Sequence, residues 1–87
     1  MRVLVVGSGG VGAAFASIAA RRPVFEQIVV ADIDADRAAR AAATARSPRV
    51  TSVKADASSR AELVQLIRSC RADVIARIRA QGVDATL

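Results

Sequence analysis

The chain has 87 residues, of which 53% are hydrophobic and 24% charged, with a net charge of +5 and a single cysteine. That suffices for one small domain with a modest core, below the ~100–200 residues of an ordinary domain. A lone Cys70 excludes an internal disulfide and fits a reducing, cytoplasmic setting, while the absence of histidine removes the commonest general base and metal ligand.

From the N-terminus, Arg2 to Val6 is a continuous β-branched and leucine run, the pattern of a parallel strand buried on both faces. Only four apolar residues separate Arg2 from the glycines, too few for a secretory signal. Gly7-Ser8-Gly9-Gly10-Val11-Gly12 follows as a G-x-G-x-x-G turn and leads into a helix predicted over about Val11 to Arg22. Val11, Phe15, Ile18 and Ala19 fall on one stripe of that helix. Arg21 and Arg22 suit the negative end of its dipole, and Pro23 stops it. Gln27 to Ala31 reads as a second strand, and Asp32 stands at its end, twenty residues after the last glycine.

A second helix is predicted over about Asp36 to Arg46, with Asp34 or Asp36 near its start. Its inner face of Ala38, Ala41, Ala42 and Ala45 is thin, so it approaches the sheet closely and buries little area. Ser47-Pro48 breaks it. Arg49 to Lys54 is the third strand and Asp56-Ala57-Ser58 the loop after it. Ser59 with Glu62 three residues later forms a capping box for a third helix that runs to about Arg71. Leu63, Leu66, Ile67 and Cys70 point inward on that helix, which makes Cys70 a buried structural thiol rather than a nucleophile. A short fourth strand spans Asp73 to Ala76.

The order βαβαβαβ with short connections predicts an α/β, partial Rossmann fold: a right-handed parallel sheet in the order 3-2-1-4 with helices on both faces. Residues 1–76 make up this nucleotide-binding unit. Residues 77–87 are too short for a further helix-and-strand unit and are expected as a short helix capped by Gly82 or a frayed end. No apolar run nears the ~18 residues of a membrane span. The basic excess is dispersed, with Arg21-Arg22 the only adjacent pair, and Phe15 and Phe25 are the only aromatics. Neither a nucleic acid nor a membrane is therefore expected as a partner.

Each glycine of the turn has a separate use. Gly7 allows the tight turn out of the strand, Gly9 leaves room for a pyrophosphate against the backbone, and Gly12 lets the helix pack on the sheet. Amides around Ser8 to Val11, at the positive end of the helix dipole, can bond phosphate oxygens, and Ser8 can add a hydroxyl. Asp32 can accept both hydroxyls of the adenosine ribose and repel a 2′-phosphate, which favours NAD over NADP. Arg37 complicates that choice, because a nearby guanidinium can pair with a 2′-phosphate; the simpler reading is a solvated helix residue. Asp34 and Asp36 read as first-turn helix acids. Asp56 can accept from the adenine amino group with Ala57 against the ring, or it can bond its own turn; both readings stay open. Arg77-Ile78-Arg79 offers no ring-binding surface, and no residue stands out as an acid or base for hydride transfer, so no catalytic residue and no metal ligand is expected.

Met1 to Gly12, Val29-Val30-Ala31-Asp32-Ile33-Asp34, Lys54-Ala55-Asp56-Ala57-Ser58 and Arg71-Ala72-Asp73-Val74-Ile75 together resemble the N-terminal nucleotide-binding region of the saccharopine dehydrogenase family, over about residues 1 to 75. The resemblance implies NAD(P) binding in an oxidoreductase acting on saccharopine or related amino-acid imine conjugates. It implies phosphate contacts at Gly7, Gly9, Gly10, Val11 and Gly12, ribose contacts at Asp32 with Ile33 beside it, and adenine contacts at Asp56 and Ala57. Members of that family continue into more sheet and a large substrate and dimerisation domain, whereas this sequence turns to Arg77-Ile78-Arg79 and stops. It therefore reads as truncated, with catalysis by the chain alone not expected.

A second resemblance, to the regulatory nucleotide-sensing domains of potassium-uptake systems, rests on the same turn, the acid after the second strand and the Asp-Ala after the third. Ala55 replaces the glycine those sensors carry before the aspartate, and Gly10 stands where they tend to carry a polar or basic residue. A third reading is a nonfunctional remnant. In any of these, a fourth strand without its usual neighbour leaves a sheet edge open to self-association, so a homo-oligomer is expected.

Overall fold

The computed structural model describes residues 1–7, 10–56, 58–79 and 82–86, with Gly10, Val11 and residues 74–79 and 82–86 described through their backbone alone. Five strands form one sheet: β1 (Arg2–Val6), β2 (Gln27–Asp32), β3 (Val50–Lys54), β4 (Val74–Arg79) and β5 (Gly82–Thr86), in the order β3-β2-β1-β4-β5. The first four are mutually parallel and β5 runs antiparallel to β4. Three helices connect them: α1 (Gly10–Ala20), α2 (Ala35–Thr44) and α3 (Arg60–Cys70).

Alternation along the strands sorts the core into two layers. Val3 and Val5 of β1, with Ile28 and Val30 of β2, pack against Ala16, Ala19 and Ala20 of α1 and Ala41 of α2. Leu4, Val29 and Ala31 face the other way, toward Leu63 of α3, with Leu66, Ile67 and Cys70 partly buried around it. The sheet is thus covered on both faces, by two alanine-rich helices on one side and by α3 on the other. On the first side the small side chains bring helix and sheet backbones close together, as the sequence pattern of α2 predicts.

Helix α1 differs in detail from its expected stripe. Ile18, predicted to face inward, is 59% exposed, and the buried line is Gly12, Ala16, Ala19 and Ala20. The helix closes through bonds from the Arg21 and Arg22 amides to the Ile18 and Ala19 carbonyls. Pro23 then sits in a turn fastened by the Phe25 amide on the Arg22 carbonyl. Arg49, at the foot of β3, donates to the Phe25 carbonyl at 2.8 Å and also to the Ala20 carbonyl at the end of α1.

The larger correction concerns the C-terminal stretch. In place of a short helix or frayed end from Arg77, β4 runs on to Arg79 and the chain returns as β5, with Arg77 opposite Asp84 and Ile75 opposite Thr86. Strand β4 is therefore not the uncovered edge on which self-association was expected; the outer strands are β3 and β5. Among the described residues no helix is long and apolar enough to cross a membrane.

Candidate functional site

Strand register decides which residues meet. Val6 pairs with Ala31 on β2 and with Arg77 on β4, and Asp32 pairs with Lys54 on β3. Gly7, Asp32 and Ala55 consequently lie side by side along the carboxyl edge of the sheet. The chain's first strand stands between β2 and β4, so the sequential order of strands reverses there. In open α/β sheets that reversal leaves a crevice in which ligands bind.

Gly7 has φ of 90°, a backbone angle that a Cβ would oppose, and its amide donates to the Ala31 carbonyl at 2.9 Å. The turn is thereby tied to the end of β2 before it feeds the N-terminus of α1 at Gly10. The first turn of α1 carries no acidic side chain, so its positive end is not neutralised by an acid from within that turn. Gly12, buried on that turn, has no Cβ to hold the helix away from the sheet. Ser8 and Gly9 lie outside the described residues, and Gly10 and Val11 are placed by their backbone at the opening of α1.

Asp32 is 7% exposed, the one buried charged residue among those described. One carboxylate oxygen accepts from the Asp34 amide at 2.9 Å, and the other stands 4.0 Å from the Arg37 guanidinium. Neighbouring acids have different tasks. Asp34 is the N-cap of α2, its carboxylate accepting from the Asp36 and Arg37 amides, while Asp36 sits in the first turn. Ile33 is 62% exposed between them.

The loop after β3 is joined to the same edge by the Ala55 amide, which donates to the Asp32 carbonyl at 2.9 Å. Asp56 accepts from both the amide and the hydroxyl of Ser58, at 2.9 and 2.6 Å. Those two donors hold its carboxyl below the usual carboxylate range. The bonding is that of a turn aspartate, one of the two readings the sequence left open. Ala57, paired with it in the sequence reading, lies outside the described residues.

The predicted capping box forms in one half. Ser59 accepts from the Glu62 amide at 3.3 Å, but the Glu62 carboxylate takes the Asp56 amide at 3.1 Å instead of the Ser59 amide. The Ser59 amide is already engaged with the Asp56 carbonyl. Ser58 and Glu62 thus brace the loop beside Asp32, a role the sequence reading missed; the Asp-x-Ser spacing is its signal. Cys70 lies well away on α3, donating to the Leu66 carbonyl, and burial pushes its thiol up. A thiol so held stays protonated at neutral pH and is a poor nucleophile.

The arrangement offers a main-chain turn at a helix N-terminus, a fixed carboxylate one strand away and a braced loop beyond it. A saccharopine dehydrogenase NADP binding domain family model matches residues 3–78. Among solved structures, the chain is similar to a quinate dehydrogenase from Corynebacterium glutamicum in complex with NAD, with 33% sequence identity and a TM-score of 0.55. That likeness covers 61% of this chain and 20% of the quinate dehydrogenase chain, so the shared part is a small fraction of the larger enzyme. No curated protein sequence matches.

Proposed function

The chain belongs to the saccharopine dehydrogenase NADP binding domain family, and we propose that it holds a nicotinamide dinucleotide at the carboxyl edge of its sheet, with the carboxylate of Asp32 favouring NAD over NADP. The pyrophosphate lies over the turn from Gly7 to Gly12, with the amides from Ser8 to Val11 as donors and the positive end of α1 beneath it. Asp32 accepts the ribose hydroxyls of the adenosine half, and its charge disfavours a phosphate at the 2′ position. The adenine lies toward Ile33 and the loop of Asp56 and Ala57.

The observation that carries this reading is the pairing of a glycine turn at φ 90° with a buried carboxylate on the adjacent strand, at the point where strand order reverses. The quinate dehydrogenase neighbour, solved with NAD, adds support. When bound, the dinucleotide supplies hydride-transfer chemistry; this chain's residues bind and orient it. None of them is assigned to proton transfer.

Titration of the chain with NADH, NADPH and ATP tests the reading. NADH is expected to bind most tightly, and Asp32→Ala to weaken NADH and narrow the preference over NADPH. Tighter binding of NADPH to the unmutated chain would overturn the role given to Asp32. Binding of ATP with neither dinucleotide would replace the cofactor domain with a nucleotide sensor.

A further inference from the structure

We propose that the opposite, amino edge of the sheet holds a second site, a notch at Arg2 and Gln27 that takes a phosphate group. In the parallel part of the sheet the helices run back against their strands, so helix C-termini and strand starts share one edge. Arginine is favoured there by the negative end of each helix dipole. Arg21 and Arg22 follow α1, Arg46 follows α2 and Arg71 caps α3, while Arg2 and Arg49 stand at the starts of β1 and β3. The acids at that edge are Glu26 and Asp73, and both are engaged. The Glu26 carboxylate lies 3.8 Å from the Met1 ammonium and 3.5 Å from Arg2, and Asp73 accepts the Arg2 amide at 2.8 Å. Charges dispersed along the chain are thus gathered in space, and a concentrated field of that sign draws small anions.

Within that field lies an open notch of about 280 Å³, lined by Arg2, Glu26, Gln27, Pro48 and Arg49. It is smaller than the ~300–1,000 Å³ of pockets for drug-sized ligands, which limits it to a small anion. Register explains its make-up. Arg2 pairs with Gln27, and the Ile28 amide donates to the Arg49 carbonyl, so the three residues stand in a row across β1, β2 and the foot of β3. The Arg2 Nε is buried and has no hydrogen-bond partner. Its ion-pair contact, Glu26, is 62% exposed and free to swing aside. A buried donor left without a bond costs free energy that an entering acceptor recovers. Arg49 gives its two terminal nitrogens to the Phe25 and Ala20 carbonyls, so it adds charge to the wall while Arg2 and Gln27 supply the donors. A phosphate matches that set, because its several oxygens take a guanidinium fork and an amide N–H together. It displaces Glu26 from Arg2, and that exposed pair is weak enough to be given up. Gly7 and Asp32 lie at the other ends of the strands, roughly 15–20 Å away.

The test titrates the full chain with sodium phosphate, glycerol phosphate and citrate, each against sodium chloride of the same ionic strength. Melting temperature and phosphorus resonances are followed in the unmutated chain, Arg2→Gln and Glu26→Gln. Phosphate is expected to raise the melting temperature of the unmutated chain saturably. Arg2→Gln is expected to weaken phosphate about tenfold or more, and Glu26→Gln, which removes the competing carboxylate, to tighten it about threefold. The main-chain bonds of Arg2 with Asp73 do not depend on its side chain, so Arg2→Gln keeps the fold, which far-ultraviolet circular dichroism checks. Should that variant fail to fold, the gain in Glu26→Gln decides alone. Glycerol phosphate binding as tightly as phosphate assigns the notch to a phosphate ester, and weaker binding assigns it to free phosphate; either result supports the site. Bound phosphate is expected to leave NADH affinity within about twofold. Competition with NADH would place the anion at the Gly7 turn, overturning the amino-edge site and leaving the dinucleotide reading intact. An equal rise with citrate, or with phosphate in Arg2→Gln, would reduce the effect to general screening of the arginines and overturn the site too. A chain that binds phosphate through Arg2 but no NADH would overturn the dinucleotide reading and leave this site standing.

Discussion

The Gly7 amide donates to the Ala31 carbonyl at 2.9 Å, so the turn that leaves β1 is built against the end of β2, beside the buried Asp32. The start of the turn and the end of β2 are therefore joined through the backbone. Gly7 holds φ of 90°, and a Cβ there both strains the backbone and intrudes on the turn. Gly7→Ala is expected to destabilise the domain by about 1–2 kcal/mol and to weaken NADH about tenfold or more. Chemical denaturation and NADH fluorescence titration of the same preparation read the two effects. A variant that binds NADH normally would show that the turn does not meet the ligand.

How much of this was legible in the sequence depends on how local the signal is. The strand, glycine turn and terminal acid sit in a single βαβ unit, and register then places Gly7 beside Asp32 with little freedom left. Of the predicted α1 stripe, Ala19 is buried and Phe15 packs against the core, while Ile18 turns to solvent. Gly12, Ala16, Ala19 and Ala20 form the buried line because the closest part of a helix packed on a sheet takes small residues. The β4–β5 hairpin was missed although Arg77-Ile78-Arg79 and Val83-Asp84 alternate with the period of a strand. An expectation of parallel units alone hid that alternation. The contact of Arg37 with Asp32 spans a strand end and a helix start, and no spacing rule fixes a flexible guanidinium there.

That reassignment of the α1 face can be checked by substitution. Ile18 is 59% exposed, so Ile18→Lys is expected to change stability by no more than about 0.5 kcal/mol. Leu63, 8% exposed and the one buried residue of α3, is the opposite case. Leu63→Ala is expected to cost about 2–4 kcal/mol, the range for opening a cavity under a single helix. Denaturant midpoints for the two variants decide it. A large loss from Ile18→Lys would return that side chain to the core.

The loop after β3 carries a pH signature. Asp56 accepts two bonds from Ser58 and its carboxyl lies below the usual range, so the folded chain holds a proton there less readily than the unfolded chain does. Its stabilising effect is complete above the ordinary aspartate range and is lost as pH falls through the lowered folded value. The protection of the Ser58 amide relative to its intrinsic exchange rate is expected to fall over that acidic window, and Asp56→Ala to remove that change. An Asp56 carboxyl resonance titrating at the ordinary aspartate position would contradict the turn bonding.

Stability and binding are expected to separate at the opposite edge of the sheet. Arg49 stands at the foot of β3 and donates to the Phe25 and Ala20 carbonyls, closing the end of α1 over the start of the neighbouring strand. Its guanidinium satisfies a helix-terminal carbonyl that has no partner within the helix. Arg49→Ala removes two charge-assisted bonds at a half-buried position and is expected to lower stability by about 2 kcal/mol. Gly7 and Asp32 lie at the carboxyl ends of the strands, the length of the sheet away, and share no partner with Arg49 among the described bonds. The folded fraction of Arg49→Ala should consequently bind NADH within about twofold of the unmutated chain. Calorimetric titration well below the melting temperature measures that affinity. A tenfold loss there, in protein shown to be folded, would mean that the two ends of the sheet are coupled through α1 and that the turn at Gly7 depends on how the far end of that helix is fastened.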